Sequence, residues 1–352
     1  MRALVTGATG FIGGALAKRL LSTGWDVDLL VRPASRKKIT QPGFTVIEGD
    51  LAQPLLELNR HYDRVYHAAA IRNRWGTSLE AYRQINVEGT HRLMEACLGR
   101  ADRFIYISSV GVFGYPGVLD IDESFPVDPG EGKNGYHTTK AQAEQVVHQY
   151  DGQIETVIVR PSITYGPGDE DGMLTRLIEL VDRGMFLRVG RGSNHFHLIY
   201  IDDLLAGLEL VGSSPQAGGE TFILAGPRAI EVNEMLSLLQ RKLQRSYTRL
   251  YIPERLARLA AWSLENLYRL GAGAGIPFFN QVPFITCDKI DTLTVNRSFS
   301  YTKAARVLGY QPGIDYEEGV SRTLDWMIAE RRIHRAIRSV ALVSRSDVPP
   351  HL

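Results

Sequence analysis

The amino-acid sequence predicts a doubly wound α/β fold, a parallel sheet with helices on both faces, together with a smaller, mostly helical C-terminal lobe. Two observations carry the first part. Short apolar runs alternate with helix-patterned segments through the N-terminal half, and a glycine-rich turn joins the first run to the first helix. Such alternation implies right-handed crossovers and parallel pairing. A third observation carries the second part: after Pro161 the alternation loosens and helical segments dominate.

Taken in order, residues 3–6 read as a strand, 11–22 as a helix, and 26–31 and 44–48 as strands. A strand at 64–67, a helix at 79–98 and a strand at 103–107 follow, then a helix at 136–150 and a strand at 155–160. YGPGDEDG is a turn-rich break before a helix at 173–183. HLIYIDDLLAGLELV is a strand entering a helix, and ETFILAG is another strand. Helices are expected at 232–244, 253–270, 302–308 and 316–332, with a loop rich in Gly, Pro and Phe after the second of these. The expected division is a sheet domain over 1–165 with 196–226 returning to it, a substrate lobe from 166–195 and 227–330, and a basic tail at 331–352.

A chain of 352 residues holds one large domain or two that share a core. Its net charge of +1 gives no general attraction to nucleic acid. Two cysteines, Cys97 and Cys287, do not make a disulfide framework, and no metal-ligand spacing is present, so no metal is expected. The start MRALVTGATG has no leader pattern, and no apolar run approaches the roughly 20 residues of a membrane span. A cytoplasmic location is expected.

The turn Gly7-Ala-Thr9-Gly10-Phe11-Ile12-Gly13 sits between the first strand and the first helix. Glycines there permit a tight turn and a close approach to a pyrophosphate, while the helix N-terminus offers N–H donors. This predicts the Rossmann arrangement and a bound dinucleotide. An acidic residue at the end of the second strand would hold a ribose 2′-OH, whereas arginine accommodates a 2′-phosphate. Here Arg32 ends the strand, and Arg36, Lys37 and Lys38 follow. NADP(H) is therefore favoured over NAD(H), unless these charges are only a solvated loop.

In Tyr136-His-Thr-Thr-Lys140 the hydroxyl and the ammonium share one helix face. A neighbouring cation lowers a phenol's pKa from about 10, which suits proton exchange near neutral pH. Such a pair also arises by chance, so its meaning depends on the rest of the chain.

With these residues in hand, the chain resembles the extended short-chain dehydrogenase/reductase superfamily. That superfamily includes nucleotide-sugar epimerases, dihydroflavonol reductases and 3β-hydroxysteroid dehydrogenases. The motifs run in order: TGATGFIG at 6–13, GDL at 49–51, HAAA at 67–70, NVEGT at 86–90, YISSVGVFG at 106–114, YHTTK at 136–140, RPSITYGPGD at 160–169, IYIDDLLAG at 199–207 and KAARVLGYQP at 303–312.

The resemblance implies that Gly7, Gly10 and Gly13 form the pyrophosphate turn. It implies that Asp50 and Leu51 flank the adenine, and that Ala68, Ala69 and Ala70 are small so that the cofactor can lie against the fourth strand. Asn86 is a polar support, and Ser108 and Pro161 are further cofactor positions. Ser109 matches the catalytic Ser/Thr, with Ser108 as the alternative. Phe113 stands where many members carry Tyr. Tyr136 exchanges a proton with the substrate oxygen, Ser109 hydrogen-bonds the same oxygen, and Lys140 binds the cofactor ribose and holds the phenol's pKa down.

Val110-Gly111 stands where the resemblance places the Asp-Glu pair of dehydratases, so there is no extra acid and base for water elimination and dehydration is discounted. Phe196 stands where nucleotide-sugar enzymes place a phosphate-gripping arginine, although Arg191 lies nearby. RLARLAAWSLENLYRL and GIPFFNQVPF look like an apolar pocket, or like the core of the small lobe. A hydrophobic alcohol or ketone is therefore expected: a sterol, a terpenoid or a 3-hydroxy/3-keto acid. Val110, Thr164 and Phe196 are expected near the substrate. Arg72 and Arg74 either meet a substrate carboxylate or are loop charges. A nucleotide-sugar epimerase is the alternative, and a non-catalytic NADP(H)-binding regulator or assembly protein the next. The tail from 331 is a membrane-surface segment, a frayed helix or a dimer contact, and a homodimer is expected.

Overall fold

A computed structural model describes residues 1–54, 58–72, 75–127, 134–186, 188–245, 251–274 and 276–333. The strands are β1 Arg2–Thr6, β2 Asp26–Val31, β3 Thr45–Glu48, β4 Tyr62–His67, β5 Ala101–Ile107, β6 Glu155–Pro161, β7 Ile163–Tyr165, β8 Arg188–Val189, β9 His195–Phe196, β10 Leu198–Tyr200, β11 Thr221–Leu224, β12 Ile230–Glu231 and β13 Tyr251–Ile252. The helices are α1 Phe11–Ser22, α2 Leu79–Tyr82, α3 Glu88–Cys97, α4 Gly135–His148, α5 Met173–Asp182, α6 Ile201–Ser213, α7 Val232–Leu243, α8 Glu254–Gly273, α9 Cys287–Thr294, α10 Thr302–Leu308 and α11 Tyr316–Ala329.

Seven strands form one sheet in the order β11-β6-β5-β4-β1-β2-β3, and all its pairs are parallel. The chain builds outward from β1 in one direction through β2 and β3, then returns to β4 and builds the other way. The order thus reverses between β1 and β4, where Thr6 stands beside His67. In open α/β sheets the crevice beyond such a reversal is where ligands bind. Apolar residues on both sheet faces explain the sandwich: Ala3 and Val5 pack in one core, and Leu4 packs in the other.

The expected helix at 79–98 is in fact interrupted. Residues Arg83–Val87 form a π-helical turn between α2 and α3, which swings Asn86 inward until it is 1% exposed. The stretch expected as a loop after residue 270 contains α9, started by the Thr286 side chain accepting from the Lys289 N–H. Helices α5, α7, α10 and α11 of the C-terminal lobe pack into the main core through residues such as Leu174, Leu236, Leu308 and Val320, and a smaller cluster gathers around Val189, Ala257, Ala261 and Ile290. On one face of α8, Leu256, Leu259, Trp262, Leu267 and Leu270 face solvent. The opposite face of the helix supplies core residues, Ala257, Ala261 and Tyr268, so the core reading of this stretch holds for that face. The last helix ends at Ala329, and the tail lies outside the described residues beyond Ile333. No described helix is long and apolar enough to cross a membrane.

Candidate active site

The glycine turn lies at the sheet's reversal point. Gly7 has φ +73°, and a Cβ there would meet the Ala68 and Ala69 backbone at 2.7 Å. A Cβ on Gly13 would lie 2.5 Å from the Gly7 carbonyl oxygen, so α1 and β1 close together only around glycine. No side chain caps α1 at Gly10. Its first N–H groups remain for an anion. Thr9 and Gly10 are exposed and Phe11 and Ile12 half-buried, as are Ala68, Ala69 and Ala70 across the crevice. These residues fit a dinucleotide pyrophosphate, and no larger side chain fits at positions 7 and 13.

Beneath the turn lies a buried chain of hydrogen bonds. Thr90 Oγ1 donates to the Asn86 carbonyl, so it accepts from His67 Nε2 at 2.9 Å. His67 Nδ1 is then an acceptor for the Thr6 hydroxyl at 2.7 Å, and Thr6 in turn accepts the Ala69 N–H. Burial holds the imidazole neutral, its pKa lowered to about 3. Asn86 spends its amide on Ile71 N–H and C=O and on Thr139 Oγ1. It therefore ties the loop after β4 to α4, a polar support between them.

Ser109, Tyr136 and Lys140 converge at the end of β5 and the start of α4. Asn134 caps α4 by accepting from the Tyr136 and His137 N–H groups at 3.0 and 3.2 Å. Burial raises the Tyr136 pKa, while a hydrogen bond with Ser109 and the charge of Arg72 oppose the rise. Lys140 is 2% exposed, donates to the Ile107 carbonyl at 2.6 Å and lies 4.2 Å from the centre of the Tyr106 ring. Burial lowers its own pKa to about 7, against the pull of Glu144. With its amine directed to the end of β5, the groups that favour the phenolate are Ser109 and Arg72.

Ser108 is not interchangeable with Ser109. Its hydroxyl donates to Glu144 at 2.5 Å, and Glu144 forms a two-point pair with Arg160 at 3.0 and 2.7 Å. This buried triad braces α4 against β5 and β6. Phe113 is packed against Phe125 and Phe299, 4.9 Å below the Arg160 guanidinium.

The remaining expected positions fall as follows. Arg32 and Arg36 are exposed beyond β2, and neither guanidinium has an ion pair among the described residues. Asp50 accepts from the Ala52 N–H at 3.0 Å, a turn contact, and Leu51 is buried against Gly89. Pro161 is buried at the end of β6 opposite Leu224, and Thr164 is half-buried with its hydroxyl on the Ser162 carbonyl. Val110 and Phe196 are each 1% exposed and packed in apolar clusters. Neither ring nor isopropyl group lines an open wall, so their expected substrate contact is corrected to packing. Arg72 is exposed, and Arg74 lies outside the described residues.

Sequence reading missed Glu144, Asp169 and the His67 chain. Glu144 had a signal, an acid four residues after Lys140 on one helix face. The others depend on contacts across the sheet.

The model of the NAD dependent epimerase/dehydratase family matches residues 3–225. The chain belongs to this family. Similar proteins include the 3beta-hydroxysteroid-dehydrogenase/decarboxylase isoform 1 of Arabidopsis thaliana, 30% identical over 68% of this chain and 57% of that protein. The chain therefore spans little more than half of that relative. A 2-alkyl-3-oxoalkanoate reductase of Stenotrophomonas maltophilia (strain K279a) is 30% identical over 92% of this chain and 98% of its own length. The crystal structure of a protein named gox2253 superposes with a TM-score of 0.76 at 28% identity, covering 94% of this chain and 99% of that one. The family member described here is thus an NAD(P)-dependent enzyme of the extended short-chain dehydrogenase/reductase type.

Proposed function

We propose that the protein is an NADP(H)-dependent oxidoreductase that interconverts a secondary alcohol and a ketone on a hydrophobic substrate. The observation that carries this is the hydrogen bond between Ser109 and Tyr136, with Lys140 one turn along the same helix and its amine at the end of β5, beside the glycine turn of the sheet's reversal point. When bound, a nicotinamide cofactor supplies the hydride donor or acceptor. Tyr136 moves a proton to or from the substrate oxygen, and Ser109 orients that oxygen by hydrogen bonding. Lys140 lies one helical turn along on the same face and would hold the cofactor ribose. Residues 166–195 and 227–330 would close over the substrate.

Relatives named as a 2-alkyl-3-oxoalkanoate reductase and a sterol-4-alpha-carboxylate 3-dehydrogenase support an apolar keto or hydroxy substrate. Exposed Arg32 and Arg36 beyond β2 support the 2′-phosphate of NADP. Two free cysteines fit a reducing, cytoplasmic compartment. A homodimer is proposed from the exposed face of α8.

The test is turnover of NADPH with medium-chain 3-oxo acids and 3-ketosteroids. Tyr136→Phe should lower kcat by at least 100-fold while NADPH affinity stays within threefold. Equal activity in that variant would reject the assignment. Saturable binding of UDP by calorimetry would favour the epimerase reading instead.

A further inference from the structure

Arg72 follows the segment that leaves β4, and its backbone is fixed to the start of the catalytic helix. Asn86 grips the preceding residue, Ile71, from both sides and reaches Thr139 of α4. Tyr82 Oη donates to the Arg72 carbonyl at 3.3 Å. The Tyr82 ring lies against Gly135, where a Cβ would be only 2.8 Å from it. Residues 135 and 139 flank Tyr136, so the root of Arg72 is held beside the phenol.

The guanidinium itself is loosely engaged. It is 62% exposed, and its nearest acids are Asp169 Oδ1 at 3.8 Å and Asp171 Oδ2 at 3.9 Å. Both distances exceed hydrogen-bond reach. Arginine presents up to five N–H donors in a rigid fork matched to a carboxylate, and here no side-chain hydrogen bond engages them among the described residues. Asp169 is the complementary oddity. It is 2% exposed, and its Oδ2 meets no donor. Burial pushes its pKa up to about 6, and Arg72 is the main influence against that rise. Charge attraction without hydrogen bonds is a weak pairing for a buried carboxylate. When Arg72 turns to another anion, Asp169 can take up a proton instead of remaining a buried unpaired charge.

Resting on the alcohol/ketone reading of Tyr136, we propose that Arg72 is the anchor for a carboxylate on the substrate, held at rest by Asp169 and Asp171. The substrates are then apolar keto or hydroxy acids, docked with the acid group on the Arg72 side of the reacting carbon. A planar carboxylate would take two parallel N–H bonds from the fork, which Asp169 and Asp171 at their present distances do not. The cofactor's phosphates have their own receptors at the glycine turn and beyond β2, so Arg72 is not needed for them.

The experiment is a calorimetric titration of 3-hydroxydecanoate, with 3-decanol as the uncharged control, into the NADP-loaded full chain. Wild type should bind the acid at least tenfold more tightly than the alcohol. Arg72→Met should lose at least tenfold of that discrimination, and Arg72→Lys should recover part of it. Asp169→Asn, which removes a competing anion, should tighten acid binding severalfold. Arg72-dependent acid binding without any NADPH oxidation of 3-oxodecanoate would sustain the anchor and remove the redox reading. Unchanged discrimination in Arg72→Met, or a loss of NADP affinity in place of acid affinity, would overturn the anchor.

Discussion

Lys140 shows at the scale of one residue how function and stability oppose each other. It is 2% exposed, and burial lowers its pKa from 10.5 to about 7. The folded chain therefore holds this proton less well than the unfolded chain. Below about pH 7 both states are protonated and the full cost of the buried charge is present; stability then climbs as pH rises toward 10. Lys140→Met should stabilise the cofactor-free protein at pH 6 by roughly 1–3 kcal/mol, allowing for the lost bond to Ile107, and the gain should vanish near pH 10. Thermal unfolding across that range checks the sign. The same variant should be inactive at every pH, a trade-off expected where a site is built for chemistry. The i, i+4 spacing made Tyr136 and Lys140 legible in the sequence. The pull of Ile107 on the amine was not, because that carbonyl belongs to a strand 33 residues earlier.

Elements turn such residues into a site. The N-terminus of α4 is held twice by Asn134: its Oδ1 caps the helix, and its Nδ2 donates to Asp288 of α9 at 2.7 Å. Tyr115, just beyond the Ser109 turn, donates to the same Asp288 oxygen at 2.8 Å. The lobe thus grips the helix that carries Tyr136. Asn134→Ala should cost about 1 kcal/mol for the cap. It should also lower kcat by roughly three- to tenfold with NADPH affinity kept, because the tyrosine's helix start is displaced and the glycine turn is not. Steady-state kinetics beside NADPH titration separates the two effects. Gly13→Ala should do the reverse. A Cβ 2.5 Å from the Gly7 carbonyl forces α1 off β1, so NADPH affinity should drop at least 30-fold, read by fluorescence titration. Glycine spacing exposed the second of these elements to sequence reading. Asp288 lay hidden because α9 sits in a stretch whose Gly, Pro and Phe content masks its short helix.

At the scale of the whole molecule, the sheet was readable because parallel strands buried on both faces are near-continuous apolar runs. The C-terminal lobe was not, because its apolar residues do not report where they point. Leu256, Leu259, Trp262, Leu267 and Leu270 fall within one arc of α8, and each is 52–74% exposed. Phe278, whose ring is 5.9 Å from Tyr268 at the end of that helix, is 59% exposed, and Phe284 is 82% exposed. On α8 alone this leaves a broad apolar face uncovered in the single chain, where a standard interface covers ~800 Å² per partner. The homodimer proposed above would cover this face with its own copy, since a two-fold contact is self-complementary. Trp262→Asp places a charge on this face. It should convert a dimer of about twice 39.2 kDa into a monomer in sedimentation experiments at micromolar concentration, with thermal stability of the monomer nearly unchanged. The side chain is exposed in one chain and supports no core, so little folding energy is at stake there. A wild-type monomer at the same concentration would remove the second copy as the occupant of this face.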